Sequence, residues 1–284
     1  MSLASGACVT AALRGACRVE QTEWRGSLSP ALLDSMRMAD AVFLALHGGD
    51  GEDGRLQRRL EAHGIFHYTG SPPAGAALAM RKDLAKAAVA RCGVPVPKGC
   101  VLSVGTPCPL PLPVVLKPRD GGSSIGLRFL HTEAEWQALP PCCFAGDTLC
   151  EELLTGREYT VGILAGEALP VVEIRPLDGP YDYEHKYRPG ASLELCPAPL
   201  PHARAAALQQ AALTAFAALG LRDYARMDFR ESSAGEPYFL EANTLPGMTA
   251  TSLLPLAASV AGYDKTALCL RMAELAAKRK TRSL

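Results

Sequence analysis

Pro113-Val-Val-Leu-Lys-Pro-Arg-Asp-Gly-Gly-Ser-Ser-Ile-Gly126 joins a short apolar run to a lysine and then to a loop of glycine and serine. The run Pro113 to Lys117 predicts a β-strand, and extended structure resumes at Leu127 to Leu130. Backbone N–H groups in such a loop cradle phosphate oxygens, and glycine lets the chain approach closely. The order differs from the common P-loop, in which the lysine follows the glycines. By itself the segment reads as either a phosphate-binding turn or an ordinary flexible hairpin.

Outward from this stretch, the chain alternates strands and helices, an α/β rhythm. Ala39 to Leu46, ending at His47-Gly48-Gly49, predicts a buried parallel strand entering a glycine loop. Gly54 to His63 predicts a helix and Ile65 to Tyr68 a second strand. Pro72-Pro73 marks a boundary, and one helix is expected over Ala76 to Cys92, stopped by Gly93. Downstream, Tyr159 to Leu164 and Ala168 to Ile174 form a hairpin about Ala165-Gly166. Ala203 to Leu219 is helical, and Ala225 to Phe229 pairs with Pro237 to Ala242. The polar, aromatic segment Asp178 to Gly190 is a loop of a length that usually carries function.

Composition narrows the classes. The 284 residues are 48% hydrophobic and 20% charged with a formal net charge of zero, which gives no electrostatic case for nucleic acid or an anionic membrane as partner. No stretch approaches the roughly 20 apolar residues of a membrane helix. Ten cysteines occur without a CxxC pair or a Cys/His metal pattern, so free thiols and a reducing, cytoplasmic compartment are expected. The basic end Lys278, Arg279, Lys280 and Arg282 is expected to be a solvated helix terminus.

Two further groups carry chemistry. Period two places Glu241 and Asn243 on one face of a strand, and Asp228 joins them if its strand pairs alongside. Two carboxylates and an amide are hard oxygen ligands that suit Mg²⁺; the competing reading is a solvated sheet face. The apolar neighbours of Glu241 weigh against that alternative, because burying carboxylates without a cation is costly. The second group is His47 with Glu52 and Asp53, at the C-terminal end of an expected parallel strand, where open α/β sheets bind ligands. A structural loop histidine is the alternative there.

HGGDGEDG at His47, LQRRLEAHGIFHYTGS at Leu56, MRK at Met80, VVLKPRDGGSSIG, CEELLTGREYTVGIL at Cys150, YDYEHKY at Tyr181, YARMDF at Tyr224 and FLEANTLPGMTATSLLP at Phe239 follow one another in order. On these blocks the chain resembles the D-alanine–D-alanine ligases over nearly its whole length. The resemblance implies an α/β and α+β chain: an ATP-grasp fold preceded by a truncated Rossmann-like parallel-sheet unit. It divides into an N-terminal substrate unit (1–72), a central lobe (73–150) and a C-terminal lobe with the metal and substrate site (151–284). It also implies ATP-dependent joining of two D-alanines through an acyl phosphate, for peptidoglycan synthesis. ATP and two Mg²⁺ (or Mn²⁺) are the implied cofactors, and a homodimer the implied assembly.

Residue by residue, the resemblance assigns Lys82 and Lys117 to ATP phosphates, with the loop Gly121 to Ser124 closing over them. Glu151, Glu152 and Leu154 lie on the adenine strand and Glu158 holds the ribose. Asp228, Glu241 and Asn243 hold the metal ions. Arg226 and the backbone of Gly247 stabilise an oxyanion, and Lys186 and Ser252 hold the second substrate's carboxylate. Ser123 and Tyr187 support the loop over the first substrate, with His47 nearby. These residues come from distant segments and are expected to converge on one cleft.

Two features depart from the family pattern. Met1 stands directly before Ser2-Leu3-Ala4-Ser5-Gly6, where relatives carry a first strand, a glycine loop and a carboxylate for the first substrate's ammonium. A strand between those expected at Cys17 to Glu20 and Ala39 to Leu46 is thus missing. The short form is expected to be fragile and poorly active unless roughly 15–20 further residues precede it. Arg81 stands where relatives commonly have Asp. A D-lactate- or D-serine-using ligase, and a truncated nucleotide-binding paralogue without activity, are the alternative readings.

Overall fold

The computed structural model describes residues 1–103, 108–121, 126–176 and 192–280. Helices α1 (Ser2–Leu13), α2 (Pro30–Met38), α3 (Gly49–Glu52), α4 (Arg55–Ala62), α5 (Pro73–Met80) and α6 (Lys82–Arg91) come first. Strands β1 (Gly99–Ser103), β2 (Val114–Pro118), β3 (Arg128–Leu130) and β4 (Ala145–Glu152), with helix α7 (Glu133–Gln137) between the last two, form an antiparallel sheet in the order β1-β4-β2-β3. Thr132 and Glu135 close α7 with a capping box. Leu102, Val114, Leu116 and Cys150 pack one face of this sheet under Trp136.

A second antiparallel sheet runs β10-β9-β5-β7-β8, with β6 beside β5. Its strands are β5 (Glu158–Leu164), β6 (Glu167–Ala168), β7 (Val172–Pro176), β8 (Ser192–Leu195), β9 (Tyr224–Glu231) and β10 (Pro237–Asn243). Alternation sorts their side chains. Tyr159, Val161 and Ile163 of β5, with Ala225, Met227 and Phe229 of β9, bury against Leu208, Ala212 and Ala215 of helix α8 (His202–Ala218). The even-numbered residues, Glu158, Thr160, Arg226, Asp228 and Arg230, share the other face, as the pairings Glu158 to Arg230 and Thr160 to Asp228 require.

Between β9 and β10 the register slips. Phe239 sits opposite Phe229, yet Glu241 rather than Leu240 sits opposite Asp228. A β-bulge of one extra residue reverses the parity of the strand beyond it. Phe239 and Ala242 therefore both face the core, and Glu241 and Asn243 face the side of Asp228 and Arg226.

The N-terminal part differs in detail from expectation. The strands expected over 39–46 and 65–68 reduce to a single parallel bridge, Val42 to Tyr68, and residues 17–20 form no strand. Among the described residues no third strand flanks this pair, so no ladder extends it. The expected helix from Ala76 to Cys92 is two helices. Arg81 is extended (φ −86°, ψ 93°), and the Lys82 N–H donates to the Arg119 carbonyl across the gap at 3.0 Å.

Helices α9 (Leu253–Val260) and α10 (Lys265–Ala277) close the described chain. Leu268, Cys269 and Met272 of α10 share one core with Val9 and Leu13 of α1. All ten cysteines are free. The basic end is not simply solvated. Arg279 forms a bidentate pair with Asp223 (2.8 and 2.7 Å) and also donates to the carbonyls of Phe66 and Tyr68, while Lys280 reaches the carbonyls of Met38 and Ala39. Propensity alone could not show this, because the acceptors are remote in sequence.

Asp223 is nearly buried in this clasp, so removing its partner strands a carboxylate. Arg279→Ala is expected to lower stability by about 3 kcal/mol, read by urea or thermal unfolding, with Arg279→Lys intermediate.

Candidate nucleotide and substrate cleft

The two sheets face each other across a cleft of about 900 Å³ that is open to solvent. The first sheet contributes Val115, Lys117, Phe129 and Glu151. The second contributes Glu158, Asp228, Arg230 and Glu241. Lys82, Glu152 and Leu154 also line it. Lys82, Lys117, Glu151, Glu152, Leu154 and Glu158 thus line one space with Asp228 and Glu241. Apolar and ionic walls in one cleft suit a ligand with a flat apolar part and a charged part.

The charges are ordered in pairs. Glu151 is almost completely buried, with Lys86 at one oxygen and Lys117 at the other, 2.6 Å away. Burial would raise the Glu151 carboxyl, but Lys117 and Lys86 hold it below its usual value. Burial, with Lys117 beside it, pushes the Lys86 ammonium down to about 7. One helical turn before Lys86, Lys82 reaches Glu241 of the other sheet at 3.2 Å. Opposite Glu241, Asp228 accepts from Arg226 (2.9 and 3.0 Å), Thr160 (2.6 Å) and Asn243 (2.9 Å). Arg230 stands 3.7 Å from Glu158.

A smaller pocket shares Lys82, Gly121 and Glu241 with the cleft and continues to Asn243, Thr244 and Glu52. Behind it the N-terminal segment grips the chain after β10. The Ser2 hydroxyl accepts from the His47 N–H at 3.0 Å. His47 Nδ1 lies 2.8 Å from the Leu245 carbonyl, so this nitrogen carries the proton. Its Nε2 then accepts from the Ser5 hydroxyl at 2.8 Å, and Ser5 Oγ accepts from the Met248 N–H at 3.1 Å. Glu52 accepts from the N–H groups of Gly48 (2.6 Å) and Leu245 (3.4 Å), whereas Asp53 turns outward to Arg55. Burial raises the Glu52 carboxyl above its usual value.

The gripped turn carries Gly247 and Ser252. A Cβ on Gly247 would lie 2.6 Å from Ser252 Oγ, so glycine is needed for the close approach. Ser252 Oγ accepts from the Thr249 N–H at 3.0 Å and hydrogen-bonds its hydroxyl at 2.8 Å, immediately before α9.

Ser123, Lys186 and Tyr187 lie outside the described residues. Sequence reasoning passed over Lys86, Ser5 and Thr160. The available signals were the four-residue spacing of Lys82 and Lys86, and the period of β5 that sets Thr160 two residues from Glu158.

Burial holds His47 below its ordinary value, with the hydrogen bond to Leu245 only partly offsetting it. The unfolded chain therefore takes up this proton first as the pH falls below about 6.5. Stability from His47 is present above that pH and is lost as pH falls toward the depressed folded value. Unfolding midpoints measured from pH 7.5 down to 5 should show this loss, and His47→Gln should flatten it.

Comparison with known proteins matches this architecture. The family model described as D-ala D-ala ligase C-terminus covers residues 106–274. A D-alanine–D-alanine ligase of Methylacidiphilum infernorum is 45% identical over 241 residues, which cover 84% of this chain and 79% of that protein. One from Dechloromonas aromatica is 39% identical over 286 residues, covering 98% and 93%. The crystal structure of a Bacillus anthracis D-alanine–D-alanine ligase complexed with ATP superposes with a TM-score of 0.82 at 28% identity, over 99% of this chain and 93% of that one. The VanG D-Ala:D-Ser ligase of Enterococcus faecalis superposes less closely, with a TM-score of 0.73 at 30% identity over 84% and 73%. With two facing antiparallel sheets, an ionic cleft between them and relatives aligned along almost the full length, the chain has the ATP-grasp fold and belongs to the D-alanine–D-alanine ligase family.

Proposed function

We propose that this chain joins two D-alanine molecules at the expense of ATP. The observation that carries the reading is the single cleft in which Lys82 and Lys117 face Asp228 and Glu241, adjoining a smaller pocket that reaches Asn243 and Glu52. ATP lies between the sheets, with Lys82 and Lys117 on its phosphates, Glu151, Glu152 and Leu154 at the adenine, and Glu158 at the ribose. A carboxylate oxygen of the first D-alanine attacks the terminal phosphorus and ADP leaves. The amine of the second D-alanine then attacks the acyl carbon, loses a proton, and the tetrahedral adduct expels phosphate. Two anions must meet in the first step, so the lysines have to screen them in a site closed to water. Arg226 and the Gly247 N–H stabilise the oxyanion, and Ser252 holds the second carboxylate. The parts given to Ser123, Lys186, Tyr187, His47, Arg226, Gly247 and Ser252 rest on the resemblance alone; Arg226 is paired with Asp228, and Arg226, Gly247 and Ser252 line neither pocket.

The residues present fit Mg²⁺ or Mn²⁺. Asp228 and Glu241 are paired across the ladder, and Asn243 touches Asp228. Among the described residues no three His, Cys, Asp or Glu side chains cluster closely enough to hold a metal; the proposed third protein donor is the Asn243 amide, whose nitrogen here donates to Asp228. Two carboxylates and an amide leave coordination positions for water and phosphate, as Mg²⁺ prefers. Two bound ions would supply charge neutralisation on the transferring phosphoryl group.

The test is phosphate release coupled to D-alanine, measured against D-alanine with D-lactate or D-serine. Turnover with D-alanine alone is expected; turnover only with a second acceptor, or none, would overturn the reading. Glu241→Gln keeps the shape but removes a ligand charge, and should nearly abolish Mg²⁺-dependent turnover with the unfolding midpoint little changed.

A further inference from the structure

Lys86 has no place in the chemistry just described. It lies behind the cleft rather than on its wall, and only 5% of its side chain is exposed. It touches Glu151, whose other oxygen is held by Lys117 at 2.6 Å. Lys117 differs, since it lines the cleft where a nucleotide's phosphates would lie. With Lys86 protonated, the three side chains carry two positive charges and one negative charge around a carboxylate that is 1% exposed.

A polyphosphate entering the cleft competes with Glu151 for Lys117. If Lys117 turned to phosphate with no other cation at Glu151, a buried carboxylate would be left uncompensated, a strongly unfavourable state. Lys86 removes that penalty, because it stays at the first oxygen while the second is released. The released oxygen is then an acceptor on the cleft wall, able to take an N–H from a bound base. Lys86 reaches Glu151 from α6, the helix whose first residue, Lys82, pairs with Glu241. Positions four apart lie on one helix face, so the same helix presents one lysine to each sheet.

We propose that Lys86 is a positioning residue for the nucleotide: it holds Glu151 in place while Lys117 exchanges that carboxylate for the phosphates of ATP. The inference rests on the ATP-dependent reading above, but it concerns nucleotide binding and not the ligation itself.

The experiment measures ADP and ATP binding by calorimetry, with steady-state kinetics alongside, on the full chain and on Lys86→Met, Lys86→Arg, Glu151→Gln and the Lys86→Met/Glu151→Gln double variant. Lys86→Met is expected to weaken nucleotide binding about ten- to a hundredfold, the scale of one charge-assisted contact. KM for D-alanine should shift less than about threefold, and Lys86→Arg should recover part of the nucleotide affinity. In the Glu151→Gln background, Lys86→Met should cost little more, since no buried carboxylate is left to hold. That double variant also keeps the test open if Lys86→Met does not fold. Unchanged nucleotide affinity in Lys86→Met, equal losses for ATP and D-alanine, or additive effects in the double variant would each overturn the proposal. Nucleotide binding that depends on Lys86 without D-alanine-driven turnover would instead overturn the ligase reading and leave this one standing.

Discussion

Two carboxylates on different sheets, Glu151 buried and Glu241 partly exposed, are each met by a lysine from one short helix, and the arrangement of the cleft depends on that match. Lys82 pairs with Glu241 and Lys86 with Glu151. Burial alone would raise the Glu151 carboxyl, and Lys117 and Lys86 hold it down, so the buried acid depends on its cations. Satisfying both pairs ties the spacing of the two sheets to the 3.6-residue turn of α6. The extended residue at Arg81 contributes, because it ends α5 and starts a new helix at Lys82.

The second sheet supplies the rest through strand parity. A regular ladder continued from Phe229 and Phe239 would set Leu240 opposite Asp228. The bulge brings Glu241 there instead and returns Ala242 to the core. One inserted residue thereby places two carboxylates, an arginine and an amide on one face without burying a polar group in the α8 side. Asp228 shows the cost of that crowding: its oxygens are satisfied by Arg226, Thr160 and Asn243 together.

Around this centre, residues near both ends of the chain form polar clasps. His47 and Glu52 engage the backbone of Leu245, Ser5 engages His47 and the Met248 N–H, and Ser2 accepts from the His47 N–H. Arg279 and Lys280 tie the C-terminal helix to the carbonyls of residues 38, 39, 66 and 68. The N-terminal segment has one parallel bridge rather than a ladder, so these polar contacts and the shared apolar core of α1 and α10 are what join it to the rest.

Much of this was legible in the residues. Strand β2 with its lysine, the hairpin about Ala165-Gly166, the helix stopped by Gly220 and the pairing of β9 with β10 follow from local pattern and turn chemistry, which act over a few neighbouring positions. The kinship of the motif blocks was legible too, since their order is a property of the chain itself. The break at Arg81, the single bridge at Val42, the parity reversal before Glu241, the Arg279 clasp and the partnership of Lys86 with Glu151 were not. Each is decided by groups tens to hundreds of residues away: the carbonyl of Arg119, the slipped register on β9, the carboxylate of Asp223, a charge on another sheet. Sequence by itself determined most of the strands and helices after Gly93 and which family the chain resembles; tertiary structure alone decided which charges meet, because burial makes each of them seek a partner that local pattern cannot see.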